Sequence, residues 1–243
     1  MNTSEWIKML GIPKDAILDK NFPKKMLYQN LELSTSEKEL IQNGIKRLRW
    51  IGSIKESNSN ISKYKDDIVQ YEEIQYFFLE VNSQDTASKV SKLLFNLVPY
   101  PQFLIISFEE NYQFQMAFTK INSNDSNLLV LEKIYESKWK SVKSNTIKKD
   151  LKPFHYSYQK MTNLKEYYES LLVVLVRERL NVSEDNKLKN SKEIIQDFNY
   201  FQELDGKIKN LMKLVKMEKQ LNKRIELQLE LTRLKNEQKG ILL

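Results

Sequence analysis

The residues with the clearest chemical potential are acidic. Glu72, Glu73 and Glu80 fall in an apolar run that reads as a strand, Asp85 opens the segment behind it, and Glu132 and Lys133 share a later strand-like run. Some nucleases gather carboxylates and a lysine on a sheet to hold Mg²⁺, which polarises a phosphate and activates a bound water. That chemistry asks for an Asp followed by Glu-x-Lys between apolar brackets, and no such arrangement occurs in the chain. A divergent metal-dependent nuclease would have to use Glu72, Glu80, Asp85 or Lys120 at the sheet edge.

Other chemistries have less to work with. A single histidine, His155, cannot build a His-based metal site alone. Ser157 stands two residues away, without the Gly-x-Ser-x-Gly context of a nucleophile elbow. His155 therefore reads as a stacking or structural residue. The absence of cysteine removes disulfides, thiol catalysis and Cys-containing zinc sites. Gly11, Gly44, Gly52, Gly206 and Gly240 are too far apart for a phosphate-cradling loop or a dinucleotide fingerprint. No catalytic residue, metal ligand or cofactor is assigned.

The positive candidate lies between Lys138 and Lys160. Lys138, Lys140, Lys143, Lys148, Lys149, Lys152 and Lys160 interleave there with Trp139, Phe154, Tyr156 and Tyr158, opposed only by Asp150. Lysines neutralise phosphates while aromatic faces stack on unpaired bases. The proposed contacts are Lys138, Trp139, Lys140, Lys143, Lys148, Lys149, Lys152 and Tyr156, with DNA and RNA both open. The same pattern fits a second reading, in which Trp139, Phe154 and Tyr156 are core residues that anchor a solvated basic loop.

Charge is distributed unevenly around that segment. Of the net +7, residues 138–160 carry seven basic and one acidic residue, and residues 206–243 carry ten basic and four acidic; residues 1–137 and 161–205 are net acidic. Two separate positive stretches favour phosphate backbones or an acidic protein surface as partners. No run approaches the ~20 apolar residues of a membrane span. The opening MNTSEWIKML lacks a hydrophobic core of signal-peptide length, which predicts a soluble, cytoplasmic protein.

The elements that must position these residues come in a mixed order. Short helices occupy the first 55 or so residues, with Ser34/Glu37 and Ser36/Glu39 as overlapping capping boxes before a helix carrying Leu40, Ile41, Ile45 and Leu48 on one face. Trp50 through Ile54 is extended, and 56–67 is a loop. Glu72–Val81 reads as a central strand, Asp85–Val98 as a helix ended by Pro99-Tyr100-Pro101, and Phe103–Phe108 with Tyr112–Ile121 as a hairpin. Leu128–Tyr135 adds a strand. The expected fold is α+β: a mostly antiparallel four- or five-stranded sheet with helices on one face. It forms a domain over 1–180, closed by a capped, nearly all-apolar helix from Asn163.

A polar linker over 181–193 then leads to 194–243, read as one long basic coiled-coil helix interrupted only by Gly206. Phe201, Leu204, Ile208, Leu211 and Val215 make its seam, which stumbles where Glu218 and Asn222 fall on it. Beyond them Leu221, Ile225 and Leu229 form one stripe, while Leu227, Leu231 and Leu234 form a second. Two stripes ask for two neighbours, so the helix is expected to pair with itself or with another protein; folding back on its own domain is the alternative.

The runs YEEIQYFFLEV, LVPYPQFLIISFE and FQMAFTKIN with Asn124-Asp125 resemble an uncharacterised bacterial family of the domain-of-unknown-function kind. The opening LGIPKD…FPKKMLYQN and the capped second helix with its Trp are similar too, so the resemblance spans most of residues 5–180. Members of that family are often encoded beside helicase and DNA-methyltransferase genes in restriction-like defence loci. The resemblance implies an accessory role in DNA transactions or antiviral defence and supplies no catalytic residue. The leading expectation is a non-catalytic assembly subunit that docks a helicase or methyltransferase through the terminal helix and lays Lys138–Lys160 along nucleic acid. The alternatives are the divergent nuclease and an adaptor that never touches DNA.

Overall fold

The computed structural model describes residues 1–28, 33–98, 100–125, 128–180 and 190–241. It divides into two compact units, Met1–Leu175 and Val176–Leu243.

The first unit opens with α1 (Thr3–Leu10), which starts at an Asn2/Glu5 capping box and ends at Gly11, whose φ of 63° suits a residue without a Cβ. Then follow β1 (Ile17–Asn21), α2 (Lys24–Tyr28) and α3 (Thr35–Gly44), the last capped by the expected Ser34/Glu37 box. β2 (Ile45–Lys55), α4 (Glu56–Ser59) and the small hairpin of β3 (Tyr64–Lys65) and β4 (Gln70–Tyr71) precede β5 (Glu73–Val81). α5 (Ala87–Leu97) leads to β6 (Gln102–Phe108), β7 (Asn111–Ile121), β8 (Leu129–Glu136) and β9 (Lys140–Ser141). α6 (Ile147–Leu151) and α7 (Leu164–Leu180) come last.

The architecture is α+β, as expected, but the main sheet has seven strands and is mixed. Its order is β1-β2-β5-β6-β7-β8, with β9 also on β7. β5 and β6 run parallel, Gln75 facing Gln102 and Glu80 facing Ser107, because α5 carries the chain back between them. The other pairings are antiparallel. β1 and the first half of β2 escape the sequence pattern, while the extended Trp50–Ile54 is the second half of β2. Leu40, Ile41, Ile45 and Leu48 fit helical spacing, yet the helix stops at Gly44, where a Cβ would lie 2.8 Å from Val90 of α5. From Ile45 the chain is a strand whose register shifts twice against β5, so its burial does not alternate and the period-two signal is lost.

Helices cover both faces of the sheet, not one. Phe77, Leu79, Leu104, Ile106 and Ala117 form one core with residues of α3 and α5, including Ile41, Val90 and Leu94. The alternate residues point the other way: Phe103 and Phe114 pack on Phe154, and Trp6 of α1 meets Tyr112 and Phe114 edge-on. The part of α7 within the first unit lies on that second face. Its Tyr167 hydroxyl shares a 2.6 Å hydrogen bond with Tyr76, and its Tyr168 hydroxyl accepts from the Ala117 N–H at 3.0 Å. Burial on both faces explains the near-continuous apolar runs of β5 and β6.

The second unit is not one coiled-coil helix. α8 (Ser191–Met217) and α9 (Leu221–Ile241) form an antiparallel hairpin. Ile208, Leu211 and Leu231 close its core, flanked by Val215, Leu227 and Leu234, and the Tyr200 hydroxyl donates to Glu237 near the open end. The turn falls at Glu218, where the polar residue interrupts the seam: its backbone is extended and its carboxylate accepts from the Gln220 N–H at 2.8 Å. Gly206 lies within α8 and breaks nothing. Of the expected 181–193 linker, 181–189 lie outside the described residues, and α8 is already capped at Asn190 by a box with Glu193. Pro99 of the Pro-Tyr-Pro element also lies outside them; the Pro101 carbonyl accepts from Gln75 N–H and so extends the β5 ladder. Among the described residues no helix is long and apolar enough to cross a membrane.

Candidate functional site

The acidic residues with potential for metal chemistry are dispersed. Glu80 bridges Lys46 at 2.7 Å and Arg47 at 2.9 Å on the neighbouring strand. Burial opposes its ionisation, but those two cations hold its carboxyl below the ordinary carboxylate range. Glu73 accepts from the Ser53 hydroxyl at 2.8 Å, and Lys120 pairs with Glu132 at 2.8 Å. Asp85 sits in the turn before α5, at the other end of β5 from Glu72 and Glu73. Among the described residues no group of three or more such side chains is placed to hold a metal ion.

The Lys138–Lys160 segment straps the sheet at its β7 end. Ser137 fixes the start: its hydroxyl accepts from the Phe114 N–H at 2.9 Å and its carbonyl from the Gln113 side chain at 2.9 Å. β9 then pairs with the first residues of β7. Trp139 packs, half-buried, on the α3/α5 core, while Leu151 and Phe154 are buried on the opposite side. Tyr156 is half-buried too, its ring against Tyr167 and its hydroxyl donating to the Ser59 carbonyl at 3.4 Å. Burial raises the Tyr156 phenol above its usual range. The structure thus places Trp139 and Tyr156 in packing roles.

The lysines face outward, with varied company. Lys140 is half-buried, 3.8 Å from Asp150, and Lys143 pairs with Glu110. Lys138 is exposed but engaged. Lys148, Lys149 and Lys152 are exposed on and after α6, with no carboxylate partner among the described residues.

Two of these, Lys148 and Lys152, border a groove of about 530 Å³ between α1 and the 147–158 segment. Lys8 faces them from the last turn of α1, Met9 and Leu151 supply apolar surface, and Glu5 stands at the first turn. Tyr158, 60% exposed, completes the lining with His155 and Ser157. The groove is built by a local lock. His155 Nδ1 accepts from the Ser157 N–H at 3.2 Å and lies 2.9 Å from its hydroxyl, which places the ring proton on Nε2. The imidazole covers Gly11 so closely that a Cβ there would sit 2.2 Å from Nε2. No carboxylate hydrogen-bonds the imidazole among the described residues. His155 therefore fastens the end of α1 to the 155–158 turn. Lys8 was invisible as a site residue in the sequence, because only folding brings α1 to α6.

A family model, domain of unknown function DUF4391, matches residues 10–237. The chain belongs to that family. No curated protein and no solved structure matches it.

The second surface of this DUF4391 chain lies on the α8–α9 hairpin. Of the eleven seam and stripe residues expected there, Ile208, Leu211 and Leu231 are buried in the hairpin core with Val215, Leu227 and Leu234 against them. Leu204 is buried and Phe201 half-buried on α8. Leu221, Ile225 and Leu229 are exposed by 61%, 50% and 67%. Their spacing of four lines them along one side of α9, with Leu227, Leu231 and Leu234 on the opposite side. Leu214 and Met217 are also exposed and line a shallow groove with Lys223, Glu226 and Leu227.

Proposed function

We propose that this DUF4391 chain is a non-catalytic assembly subunit of a bacterial DNA-transaction or anti-phage defence complex. The α8–α9 hairpin docks a partner protein of the helicase or methyltransferase kind, and the lysines of 138–160 contact nucleic acid. The observation that carries the reading is the row Leu221, Ile225 and Leu229, left exposed on α9 after its other stripe is buried. Three large apolar side chains in line on a highly charged helix are a liability in water unless a partner covers them.

The occupant is a helix of another protein with an acidic margin. Residues 206–243 hold ten basic and four acidic residues, and helical spacing sets Arg224, Arg233 and Lys235 beside the row on α9. A second copy would bring like charges together, which costs affinity, whereas an acidic amphipathic helix satisfies both the apolar row and its rim.

Affinity purification from the native host, followed by lysine cross-linking, tests this. The expected result is a partner cross-linked at Lys235 through an acid-rich helical segment, and lost when Leu221, Ile225 and Leu229 are all changed to Ser. Retention of every partner by the triple variant rejects the docking row. Light scattering that shows a dimer abolished by the triple variant assigns the row to a second copy instead.

A further inference from the structure

We infer that the groove between α1 and α6 binds single-stranded nucleic acid, with a base stacked on Tyr158 and the backbone held by Lys8, Lys148 and Lys152. The inference rests on the nucleic-acid contact proposed above and is independent of hairpin docking.

Charge alone would not distinguish a single strand from a duplex, since both present phosphates. Three features of the groove do. Tyr158 is the aromatic ring of the segment that packing leaves out: 60% of it is exposed, while Phe154 is buried and Trp139 and Tyr156 are half-buried. Lys152 Nζ stands 5.6 Å from the centre of the Tyr158 ring, and the His155 ring approaches it edge-on at 5.9 Å. A cation beside an exposed ring pairs a stacking surface with a phosphate contact.

The floor is the second feature. Met9 and Leu151 line the groove between the lysines, and its volume of about 530 Å³ lies in the range that takes a small molecule the size of a nucleotide. Duplex DNA keeps its bases stacked within the helix and offers an apolar floor nothing. An unpaired nucleotide offers a base and a sugar.

The third feature is rigidity. The His155 imidazole packs on Gly11 at the end of α1, and its hydrogen bonds with Ser157 order the turn that carries Tyr158. A platform ordered in advance loses less entropy on binding than a mobile loop. An acidic peptide could meet the lysines, but it has no flat ring system for Tyr158.

Fluorescence anisotropy on the full chain tests the inference with three probes: a labelled oligothymidylate, a labelled duplex of the same length, and poly-glutamate as competitor. The oligothymidylate is expected to bind at least about tenfold more tightly than the duplex, and Tyr158→Ala to cost it about tenfold while leaving duplex affinity unchanged. Tyr158→Trp restores binding, which separates stacking from a folding defect. Changing Lys148 and Lys152 to Ser weakens both nucleic-acid probes and makes the salt dependence shallower. Equal binding of single strand and duplex, unmoved by Tyr158→Ala, overturns the single-strand site and leaves phosphate contact standing. Full affinity after the double Lys change places the contact elsewhere and overturns the groove. Absence of binding to either probe at low salt, or competition by poly-glutamate as effective as that of oligothymidylate, defeats both readings.

Discussion

Residues 138–160 and 206–243 carry the same excess of six basic charges, yet they dispose of their apolar residues in opposite ways. In the first segment Trp139 and Phe154 are driven into cores on opposite faces of the sheet, and what faces water is lysine with one phenol, Tyr158. In the second, the hairpin closes one leucine stripe and leaves the other in solvent. Net charge therefore does not distinguish the two surfaces. Their leftover apolar groups do: a single exposed ring amid lysines suits a base, while an aligned row of three aliphatic side chains suits another helix.

The comparison breaks most readily on α9 itself, where the covered and uncovered stripes share one helix. Leu231→Ala removes a side chain only 4% exposed and is expected to cost the hairpin about 2–5 kcal/mol. Leu229→Ala, two residues away, is expected to change stability by no more than about 0.5 kcal/mol. Urea titration followed by circular dichroism reads both. Equal losses would mean that the Leu229 row is covered within the chain, and the docking argument would fail with it.

A smaller effect sharpens the sheet side. Tyr76 and Tyr167 share a buried hydroxyl–hydroxyl hydrogen bond of 2.6 Å, and burial pushes both phenols above their usual range. Tyr167→Phe leaves the Tyr76 hydroxyl without that partner and is expected to cost about 1–3 kcal/mol. Tyr156 packs its ring on that of Tyr167, and Tyr156→Ala, which removes the ring, tests whether Tyr156 is a structural anchor. If so, thermal stability falls while nucleic-acid affinity holds at a temperature where the variant stays folded. Lost affinity without lost stability would return Tyr156 to the binding surface.

What the sequence made legible follows from how far each signal reaches along the chain. Capping boxes at Ser34 and Asn190 are four-residue patterns, and the Ser34 box was readable before any fold was known. The runs of β5 to β8 were readable because buried strands concentrate aromatic and β-branched residues locally. The first half of β2 was not, since two register shifts erase its alternation and Ile45 and Leu48 happen to continue the spacing of α3; only Trp50–Ile54 read as extended. The α8–α9 turn was half legible: Glu218 marked the break, but the closing of Ile208 and Leu211 on Leu231 is a long-range event. The groove suffered most, for it needs Lys8 beside Lys152, residues brought together only by α1 and α6 meeting on one face of the sheet.

The smallest expected effect is electrostatic and lies away from both surfaces, which makes it a control on them. The Asp66 carboxylate accepts from the backbone N–H groups of Val69 at 2.7 Å and Ile68 at 2.8 Å in the turn between β3 and β4. Those two bonds, with lesser help from the Tyr64 hydroxyl and Lys165, hold its pKa down to about 2. A carboxyl depressed on folding stabilises the fold fully above its unfolded value of about 4, and that contribution drains away as pH falls towards 2. Asp66→Asn should therefore flatten the acid limb of the stability profile between about pH 4 and pH 2, by lowering stability at neutral pH towards the level the parent chain reaches near pH 2. The effect is small because the group is solvent-screened. Since Asp66 lies on neither the Lys8–Lys152 groove nor the Leu221–Leu229 row, nucleic-acid affinity and partner capture at neutral pH should match the parent chain. A variant that alters either would show that the β3–β4 turn takes part in that surface, and the contrast between them would have to be redrawn.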